Sequence, residues 1–584
     1  MVTAGELEIF RHTLVGIVEE MGVTLQRTAY STNIKIRRDH TCALFDEDLR
    51  HVAQHDIAPQ HIGSLVSVVP RNMEPLTDEL EPGDGFLVND PYQGAVHLPD
   101  VMLISPLFAD GELIGYAANS AHHVDIGGGT PGGIPTDSTE LYAEGIIMDG
   151  VRAVEDWEYD EEILGLVRRN VRGSKMRTGD YRAQLGANKV GERRYRELHE
   201  EYGPETLVDH LDELLDYTEQ LVRSAIEDLP DGSYEAEDTM DGDGVVDEQV
   251  KVAITITVDG DDVTVDFTGT AEENEGPLNC TPAMMFSGVM SVIMALLGED
   301  IPKNDGFYRP FEFVTPEGTM VNPRPQRPVA AGWEIPMRAA DLVSKAMADA
   351  LPEEVIAGTK GIVCNIAYGG DDPRTPEDAE DYVFYETVAG GYGARKEKDG
   401  MEAVQTHFQN TANSPIEELE TEIPLYVRRY ELIEGSAGAG RTRGGLGVRR
   451  DMEFYDHESR FSVLSDRATG RPWGLFGGRP GTTAEYVMYP DTDDELHVGS
   501  KSTTKLRPDG VASIRTPGGG GYGDPLERPA EKVLEDVVNE KVSVEEARDE
   551  YGVVVDGQDR EVDEEATAEL RADRRASGET GGDV

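Results

Sequence analysis

Apolar residues recur at two spacings along the chain, and the spacing separates helical from extended segments. Near the start they recur at steps of three and four, which predicts an amphipathic helix from Leu7 to Leu25. Shorter apolar runs follow, and they predict strands at 41–45, 85–88, 101–104 and 113–118. A charged stretch from Glu161 to about Leu229 is predicted to be helical. The first part of the chain therefore mixes helices and strands.

The pattern changes from Ser233 onward. Apolar and polar residues alternate at 252–258 and 263–267 around an Asp-Gly-Asp-Asp turn, which predicts a β-hairpin. The apolar run 284–297 is shorter than the roughly 20 residues that span a bilayer, so it predicts a buried helix. Asp341 to Leu351 predicts a second helix. From Tyr426 to about Arg515 the strands are short and the turns many, as in an all-β module.

These patterns predict a multi-domain α+β protein. We expect an N-terminal α/β region at 1–230, a central α+β region at 231–420 and a β-rich module at 421–525. We expect the rest, 526–584, to be an acidic helical tail that is disordered from about residue 576.

The net charge of the chain restricts its partners and indicates its environment. Asp and Glu number 114 against 53 Lys and Arg in 584 residues, which gives a net charge of −61. Nucleic acid and anionic membranes are excluded as direct partners, because like charges repel. Molar salt shortens the Debye length to about 3 Å, so a surface this acidic suits a salt-rich cytosol. An acidic surface that binds a basic partner is the alternative.

The cysteines and the N-terminus indicate a soluble cytoplasmic protein. Cys42, Cys280 and Cys364 lie far apart and are odd in number, so they predict neither a disulfide framework nor a metal knuckle. The first residues lack both the basic start and the uninterrupted apolar run of a signal peptide.

Histidines are concentrated near the N-terminus, where eight of the 13 lie within the first 123 residues. His97 and Asp100 flank a Pro in an HxxD turn, and His122 and His123 follow a predicted strand. Imidazole and carboxylate together bind divalent ions of borderline softness, so these residues are candidate metal ligands. Asp39, near the start of a strand, is a further candidate. The alternative is that the histidines are hydrogen-bonded core residues.

Glycine-rich runs also recur, at 126–133, 389–393, 443–447 and 517–523. None has the spacing of a phosphate-binding loop or a dinucleotide-binding turn, so we interpret most of them as sharp turns or close backbone approaches. The run at 126–133 directly follows the His pair and is a candidate active-site wall. The sequence shows neither a GxSxG motif nor an ATP-binding signature, so any ATP is expected on another chain.

Seven short motifs lie in order and at sensible spacing along the chain: Asp39–Asp46, Asn89–Gly94, His97–Asp100, Ala121–Gly128, Ala389–Gly393, Arg443–Gly447 and the Gly run after Pro517. Together they resemble the hydantoinase B/5-oxoprolinase family, and the resemblance covers roughly residues 5–525. This family includes the B subunit of N-methylhydantoinase, and the acetone carboxylase alpha subunit is a more distant relative.

The resemblance implies one subunit of an ATP-dependent amidohydrolase. An A-type ATPase partner would phosphorylate the carbonyl oxygen of a lactam or cyclic imide, such as 5-oxoproline or hydantoin. This chain would then supply water activated by one divalent metal (zinc, manganese or iron) to open the ring. Carried over from relatives, the implied metal ligands are Asp39, His97, Asp100 and His122.

Residues near these ligands are candidates for further roles. His123 and Asp125 would orient a ligand or shuttle a proton, and Glu144 would act as a general base. Arg37 and Arg38 are near enough in sequence to hold a phosphorylated intermediate, although surface arginines are equally expected in so acidic a chain.

Two other functions remain open from the sequence. The chain would be a subunit of an acetone-carboxylase-type enzyme if bicarbonate were a substrate. It would be a non-enzymatic scaffold if the histidine cluster were purely structural.

Overall fold

The computed structural model describes residues 3–55, 57–298, 300–375, 381–556 and 560–577. Helices are distributed over the whole of this length: α1 (Ala4–Thr28), α2 (Thr32–Lys35), α3 (Ile62–Met73), α4 (Glu161–Asn170), α5 (Ser174–Tyr202), α6 (Pro204–Glu227), α7 (Pro282–Leu297), α8 (Asp305–Tyr308), α9 (Glu334–Ala346), α10 (Ile416–Glu422), α11 (Ala530–Val538), α12 (Val544–Asp549) and α13 (Glu564–Ser577).

Strands form four larger sheets and one two-stranded sheet within these residues. They are β1 (His40–Phe45), β2 (His51–Gln54), β3 (Gly85–Val88), β4 (Asp100–Ala109), β5 (Glu112–His122), β6 (Val151–Glu155), β7 (Glu158–Tyr159), β8 (Gly232–Met240), β9 (Val250–Asp259), β10 (Asp262–Asp266), β11 (Phe311–Val314), β12 (Asn365–Asp371), β13 (Asp381–Thr387), β14 (Tyr426–Leu432), β15 (Val448–Phe454), β16 (Ser459–Leu464), β17 (Glu485–Met488), β18 (Leu496–His497), β19 (Lys501–Leu506), β20 (Gly510–Arg515), β21 (Val555–Asp556) and β22 (Glu561–Val562).

The first sheet is antiparallel and has the strand order β2-β1-β5-β4-β3-β6-β7. Its two faces bury alternate residues: Leu44 and Ala117 belong to the core that contains α1, α5 and α6, whereas Phe45 and Ala118 belong to the core that contains α3. The predicted helix at the N-terminus is confirmed as α1, which begins with a capping box between Thr3 and Glu6. Helices therefore cover both faces of the sheet.

The predicted hairpin is confirmed as β9 and β10, which lie in a four-stranded sheet of order β11-β10-β9-β8. Helices α7 and α9 share the hydrophobic core of this sheet, and α7 is the predicted buried helix. Helix α9 begins at Glu334, seven residues before the predicted start at Asp341. Pro336 lies in its first turn, where the N–H that proline lacks has no partner within the helix, so proline does not prevent the earlier start.

The β-rich part is a sandwich of two sheets, with the strand orders β13-β12-β16-β19 and β14-β15-β20-β17-β18, around one hydrophobic core. Strands β12 and β13 precede residue 421, whereas β16, which pairs with β12, and β19, which pairs with β16, follow it. The sandwich thus combines strands from both sides of the predicted boundary between 420 and 421, because strand pairing joins segments that are distant in sequence.

Three of the glycine-rich runs pack directly against one another. Gly391 N–H donates to the carbonyl of Pro517, and Gly519 N–H donates to that of Gly445. A Cβ on Gly391 would lie 2.2 Å from the carbonyl oxygen of Gly445, and one on Gly519 would lie 2.1 Å from that of Tyr392. The close backbone approach predicted for these runs is therefore confirmed here, since only glycine leaves room for it.

The tail contains α11, α12 and α13, as predicted, and α13 continues through Ser577. The remainder of the stretch predicted to be disordered, 578–584, lies outside the described residues. Among the helices that are described, none combines the length and apolar character that crossing a bilayer requires.

Candidate metal centre

Three of the predicted ligands meet because of the register of three neighbouring strands. His40 in β1 pairs with Ala121 in β5, which places Asp39 beside His122, and the His122 N–H donates to the Asp39 carbonyl over 3.1 Å. Asp100, the first residue of β4, pairs directly with His122. Side chains that are far apart in sequence therefore lie at one edge of one sheet.

The HxxD turn brings His97 to the same edge. The Asp100 N–H donates to the His97 carbonyl over 3.0 Å, which closes the turn. Nδ1 of His97 lies 2.8 Å from Oδ2 of Asp100, and the ring centroids of His97 and His122 are 5.0 Å apart. All four predicted ligands are thus brought together.

The structure adds His61, which the sequence analysis did not identify. His61 ends a short 3₁₀ turn at Pro59–His61, just before α3. Its Nε2 lies 3.3 Å from Oδ1 of Asp100, and its Nδ1 lies 3.0 Å from the hydroxyl of Thr41. The one signal for it in the sequence was the excess of histidines before residue 123.

The donor atoms form two overlapping groups that share Asp100. In each group, one ligand atom per residue lies within 4.8 Å of the others: His97, Asp100 and His122 form one group, and Asp39, His61 and Asp100 form the other. All five side chains are buried. Among the described residues, Nε2 of His97 and Nε2 of His122 have no hydrogen-bond partner. Since buried polar atoms are nearly always paired, these atoms fit a divalent cation that binds nitrogen and oxygen.

The electrostatics of the cluster also favour a cation. Burial and the charge of Asp100 raise the pKa of Asp39. Burial alone would raise the pKa of Asp100 as well, but His97 and His61 lower it overall. Burial lowers the pKa of His122 well below its usual value, which keeps the imidazole neutral. Two carboxyl groups side by side among imidazoles are a ligand set that a cation would stabilise.

Neighbouring polar residues hold the ligands in place. Gln60 Nε2 donates to Oδ1 of Asp39 over 2.8 Å. Asn33 Nδ2 donates to the carbonyl of His122 over 2.9 Å and lies 3.1 Å from its Nδ1. The buried Arg37 guanidinium donates to Oδ1 of Asn33 over 2.8 Å, which orients the amide. Such contacts fix ligand geometry before a metal binds.

A narrow cavity opens beside the cluster. Asp39 and His122 form one side of it, and aromatic residues form much of the rest. The Tyr385 ring stacks on His122 with centroids 4.3 Å apart, and Trp333 meets His97 edge-on at 4.9 Å. The other lining residues are Gln60, Val363, Thr387, Phe408, Gln409 and Thr411.

His123, predicted to orient a ligand or shuttle a proton, is not brought into the cluster. It is directed toward α5, where its ring stacks on Tyr181 with centroids 4.4 Å apart and Nε2 lies 3.0 Å from Oε1 of Gln184. The reason lies in the strand, since successive side chains at its end point to opposite faces.

Asp125, a candidate for the same roles, instead fastens the glycine-rich loop. Its buried carboxylate accepts hydrogen bonds from the N–H groups of Gly127, Gly132 and Arg172 and from Nη1 of Arg172, at 2.9–3.0 Å. The loop and Arg172 together supply four donors to this carboxylate, so the contacts of Asp125 are structural.

Glu144, the predicted general base, links the first region to the second. Its carboxylate accepts from the N–H groups of Val329 and Ala330 and from the hydroxyl of Ser138. Burial raises its pKa to about 8 despite these donors. The structure therefore does not place it in the cluster. Of the two arginines suggested for a phosphorylated intermediate, Arg38 is exposed, whereas Arg37 is buried next to the cavity.

Comparison with known proteins agrees with this architecture. The family model described as hydantoinase B/oxoprolinase matches residues 4–525. A Pseudomonas sp. NS671 protein named as the B subunit of a D-/L-hydantoinase is 35% identical over 97% of this chain and 97% of its own. The crystal structure of the ATP-dependent caprolactamase from Pseudomonas jessenii is 31% identical, with a TM-score of 0.89 over 98% of this chain and 100% of its own.

A nucleotide-free structure of acetone carboxylase has the same fold, with a TM-score of 0.90 and 21% identity over 99% of this chain and 84% of its own. The resemblance inferred from the sequence motifs is confirmed, as is the mixed α+β, multi-domain fold. The chain belongs to the hydantoinase B/oxoprolinase family.

Proposed function

We propose that this chain is the B-type subunit of an ATP-dependent enzyme that opens a cyclic amide. The observation that carries the proposal is the convergence of five buried residues with nitrogen and oxygen ligand atoms beside a cavity. Among the described residues, Nε2 of His97 and Nε2 of His122 have no hydrogen-bond partner. The family supports it, because relatives are named as a hydantoinase subunit and as an ATP-dependent caprolactamase.

The cluster would hold the divalent metal through Asp39, His61, His97, Asp100 and His122. A metal bound there acts as a Lewis acid and lowers the pKa of water from about 15.7 toward about 7. The ligand set accepts zinc, manganese and iron alike.

The residues of this chain have three tasks in the proposed reaction. Asn33, Thr41 and Gln60 hold ligands in fixed orientations, so that little rearrangement is needed when the substrate arrives. The aromatic lining excludes bulk water, which strengthens electrostatic interactions in the cavity. The donors on the remaining wall would bind oxygen atoms of the substrate.

The partner would contribute the nucleotide chemistry. We propose an A-type ATPase subunit that transfers the γ-phosphoryl group of ATP to the carbonyl oxygen, which turns a poor electrophile into a reactive one. Overall, the ring takes up one water and the phosphoryl group takes up another, which gives the ring-opened acid, ADP and phosphate. A relative named as a hydantoinase B subunit supports such a two-subunit arrangement.

The test is co-purification with the A-type subunit, followed by assays on 5-oxoproline, hydantoin, N-methylhydantoin and caprolactam with and without ATP. We expect ring opening only when both subunits and ATP are present. His97→Ala should abolish it and release the metal, whereas His12→Ala, at an exposed histidine of α1, should not. Full activity of this chain alone without ATP would refute the proposal.

The same assay separates the alternatives. Incorporation of labelled bicarbonate into the product would support an acetone-carboxylase-type reaction. Absence of bound metal, together with unchanged activity in His97→Ala, would support the scaffold.

A further inference from the structure

Two hydrogen-bond donors on the cavity wall have no partner among the described residues. They are Nε1 of Trp333 and Nε2 of Gln409, both buried. Trp333 is 5% exposed and Gln409 is 6% exposed, and both residues line the cavity beside the metal centre. A buried N–H without an acceptor is unfavourable, so this wall is suited to a ligand that supplies oxygen acceptors.

The orientation of Gln409 is set by a lysine buried behind it. Nζ of Lys360 donates to the Val388 carbonyl over 2.8 Å and to Oε1 of Gln405 over 2.7 Å, and it lies 3.5 Å from Oε1 of Gln409. An ammonium group can only donate, so it holds the oxygen of both amides and turns their NH₂ groups away from itself. The NH₂ of Gln409, a residue that lines the cavity, is thereby left without an acceptor among the described residues.

Arg37 fixes the hydroxyls on the same wall in a similar way. Nη2 of Arg37 and Nε2 of Gln405 both donate to Oγ1 of Thr387, at 2.8 and 3.1 Å. The Thr387 hydroxyl must therefore give its own proton onward, and Oγ1 of Thr411 lies 3.0 Å away. Because Thr411 then accepts from Thr387, its own proton is free for the cavity.

Neither cation has a carboxylate partner within 4.0 Å in the described part of the chain, although both are fully buried. Buried charges are normally paired. Burial also lowers the pKa of Lys360, to about 8. Two positive charges without a direct carboxylate partner, placed behind a wall of donors, favour a negatively charged oxygen in front of it.

We propose that Trp333, Gln409 and Thr411 form a binding site for the oxygen atoms of a phosphoryl group, and that Lys360 and Arg37 are positioning residues that keep these donors turned toward the cavity. The inference rests on the proposed function, because the phosphoryl group would be the one carried by the activated cyclic amide. It assigns no covalent step to these residues. They bind oxygens that become more negative as the ring is attacked.

The test measures binding of inorganic phosphate to the full chain by calorimetry. All variants are measured at the same salt concentration and with the metal bound. We expect Trp333→Phe to weaken phosphate binding about 10-fold, because the ring remains and only the donor is lost. Trp473→Phe is the matched control: Trp473 is 8% exposed and its Nε1 is likewise unpartnered among the described residues, but it does not line this cavity. It should bind phosphate as the wild type does.

The positioning role of Lys360 is tested by a double-variant cycle. Gln409→Leu and Lys360→Met should each weaken phosphate binding, and the double variant should bind about as weakly as either single variant, because Lys360 acts through Gln409. Additive losses would show that Lys360 does not act through Gln409. Thermal unfolding of every variant shows whether the fold is retained, and Trp333→Phe alone still decides the donor site if Lys360→Met does not fold.

The outcomes separate this inference from the proposed function. Phosphate binding that is absent in the wild type, or unchanged in Trp333→Phe and Gln409→Leu, overturns the donor site even if the two-subunit complex opens cyclic amides. Binding that is lost in these variants while Trp473→Phe is unaffected supports the site. That support stands even if no cyclic amide is hydrolysed.

Discussion

Replacing Asp125 by Asn separates a structural role from a catalytic one. Each carboxylate oxygen of Asp125 accepts two hydrogen bonds. Oδ1 accepts from the N–H groups of Gly127 and Arg172, and Oδ2 accepts from the N–H group of Gly132 and from Nη1 of Arg172. In the Asp125→Asn variant one oxygen becomes an NH₂ group, so two donors lose their acceptor and face another donor. Leaving a buried donor unpaired costs about 1–3 kcal/mol, and the Arg172 side chain, 30% exposed, can turn toward water at a lower cost.

We therefore expect Asp125→Asn to lower the free energy of unfolding by about 2–4 kcal/mol. The assay is urea unfolding at constant high salt, monitored by circular dichroism. Metal content is measured on the same preparations. Asp137→Asn is the matched control, since Asp137 is an exposed residue of the neighbouring loop and should change stability by less than about 0.5 kcal/mol. An Asp125→Asn variant with wild-type stability but no turnover would refute the structural interpretation and restore the catalytic one.

Three further predictions follow from other parts of the molecule. His61→Ala should keep the fold but weaken metal binding at least about 10-fold in a chelator competition, because it removes one of the five ligands; wild-type affinity would exclude His61 as a ligand. Glu273 accepts hydrogen bonds from Arg324 and Arg327, and these arginines lower its pKa to about 2. The contribution of ionised Glu273 to the free energy of unfolding should be complete above about pH 4.5 and fall between pH 4.5 and 2. The difference in that free energy between wild type and Glu273→Gln should therefore shrink over this range, and a constant difference would contradict the prediction. Lowering the salt from molar to 0.1 M should unfold the chain, because the Debye length grows from about 3 to about 10 Å and the net charge of −61 is less screened; unchanged ellipticity in dilute buffer would contradict this explanation of the charge.

Local structure was largely predictable from the sequence, because it depends on periodicity. The strand Gly85–Val88 has the predicted bounds, and the predicted strand 113–118 is the middle of β5. Pairing between distant segments was not predictable in this way. Nothing local in β12 indicates that its partner β16 lies beyond residue 421.

The candidate site shows the same division. Asp39, His97, Asp100 and His122 were identified through their motifs, but only the register of β1, β5 and β4 explains why they meet. His61 lies outside every motif and reaches the cluster through tertiary packing of the 3₁₀ turn. His123 and Asp125 were chosen because they are close in sequence to His122, and sequence proximity does not specify the direction of a side chain.

Anomalous X-ray diffraction from crystals of this chain would show whether the five clustered side chains hold a divalent cation. Data collected above and below the absorption edges of zinc, manganese and iron would locate and identify any such ion. We expect an anomalous peak within coordination distance of Asp100 and of His97 and His122, lost in Asp100→Asn crystals of the same form. The proposed metal site would be contradicted if protein that is active with added metal gave crystals without an anomalous peak among these residues.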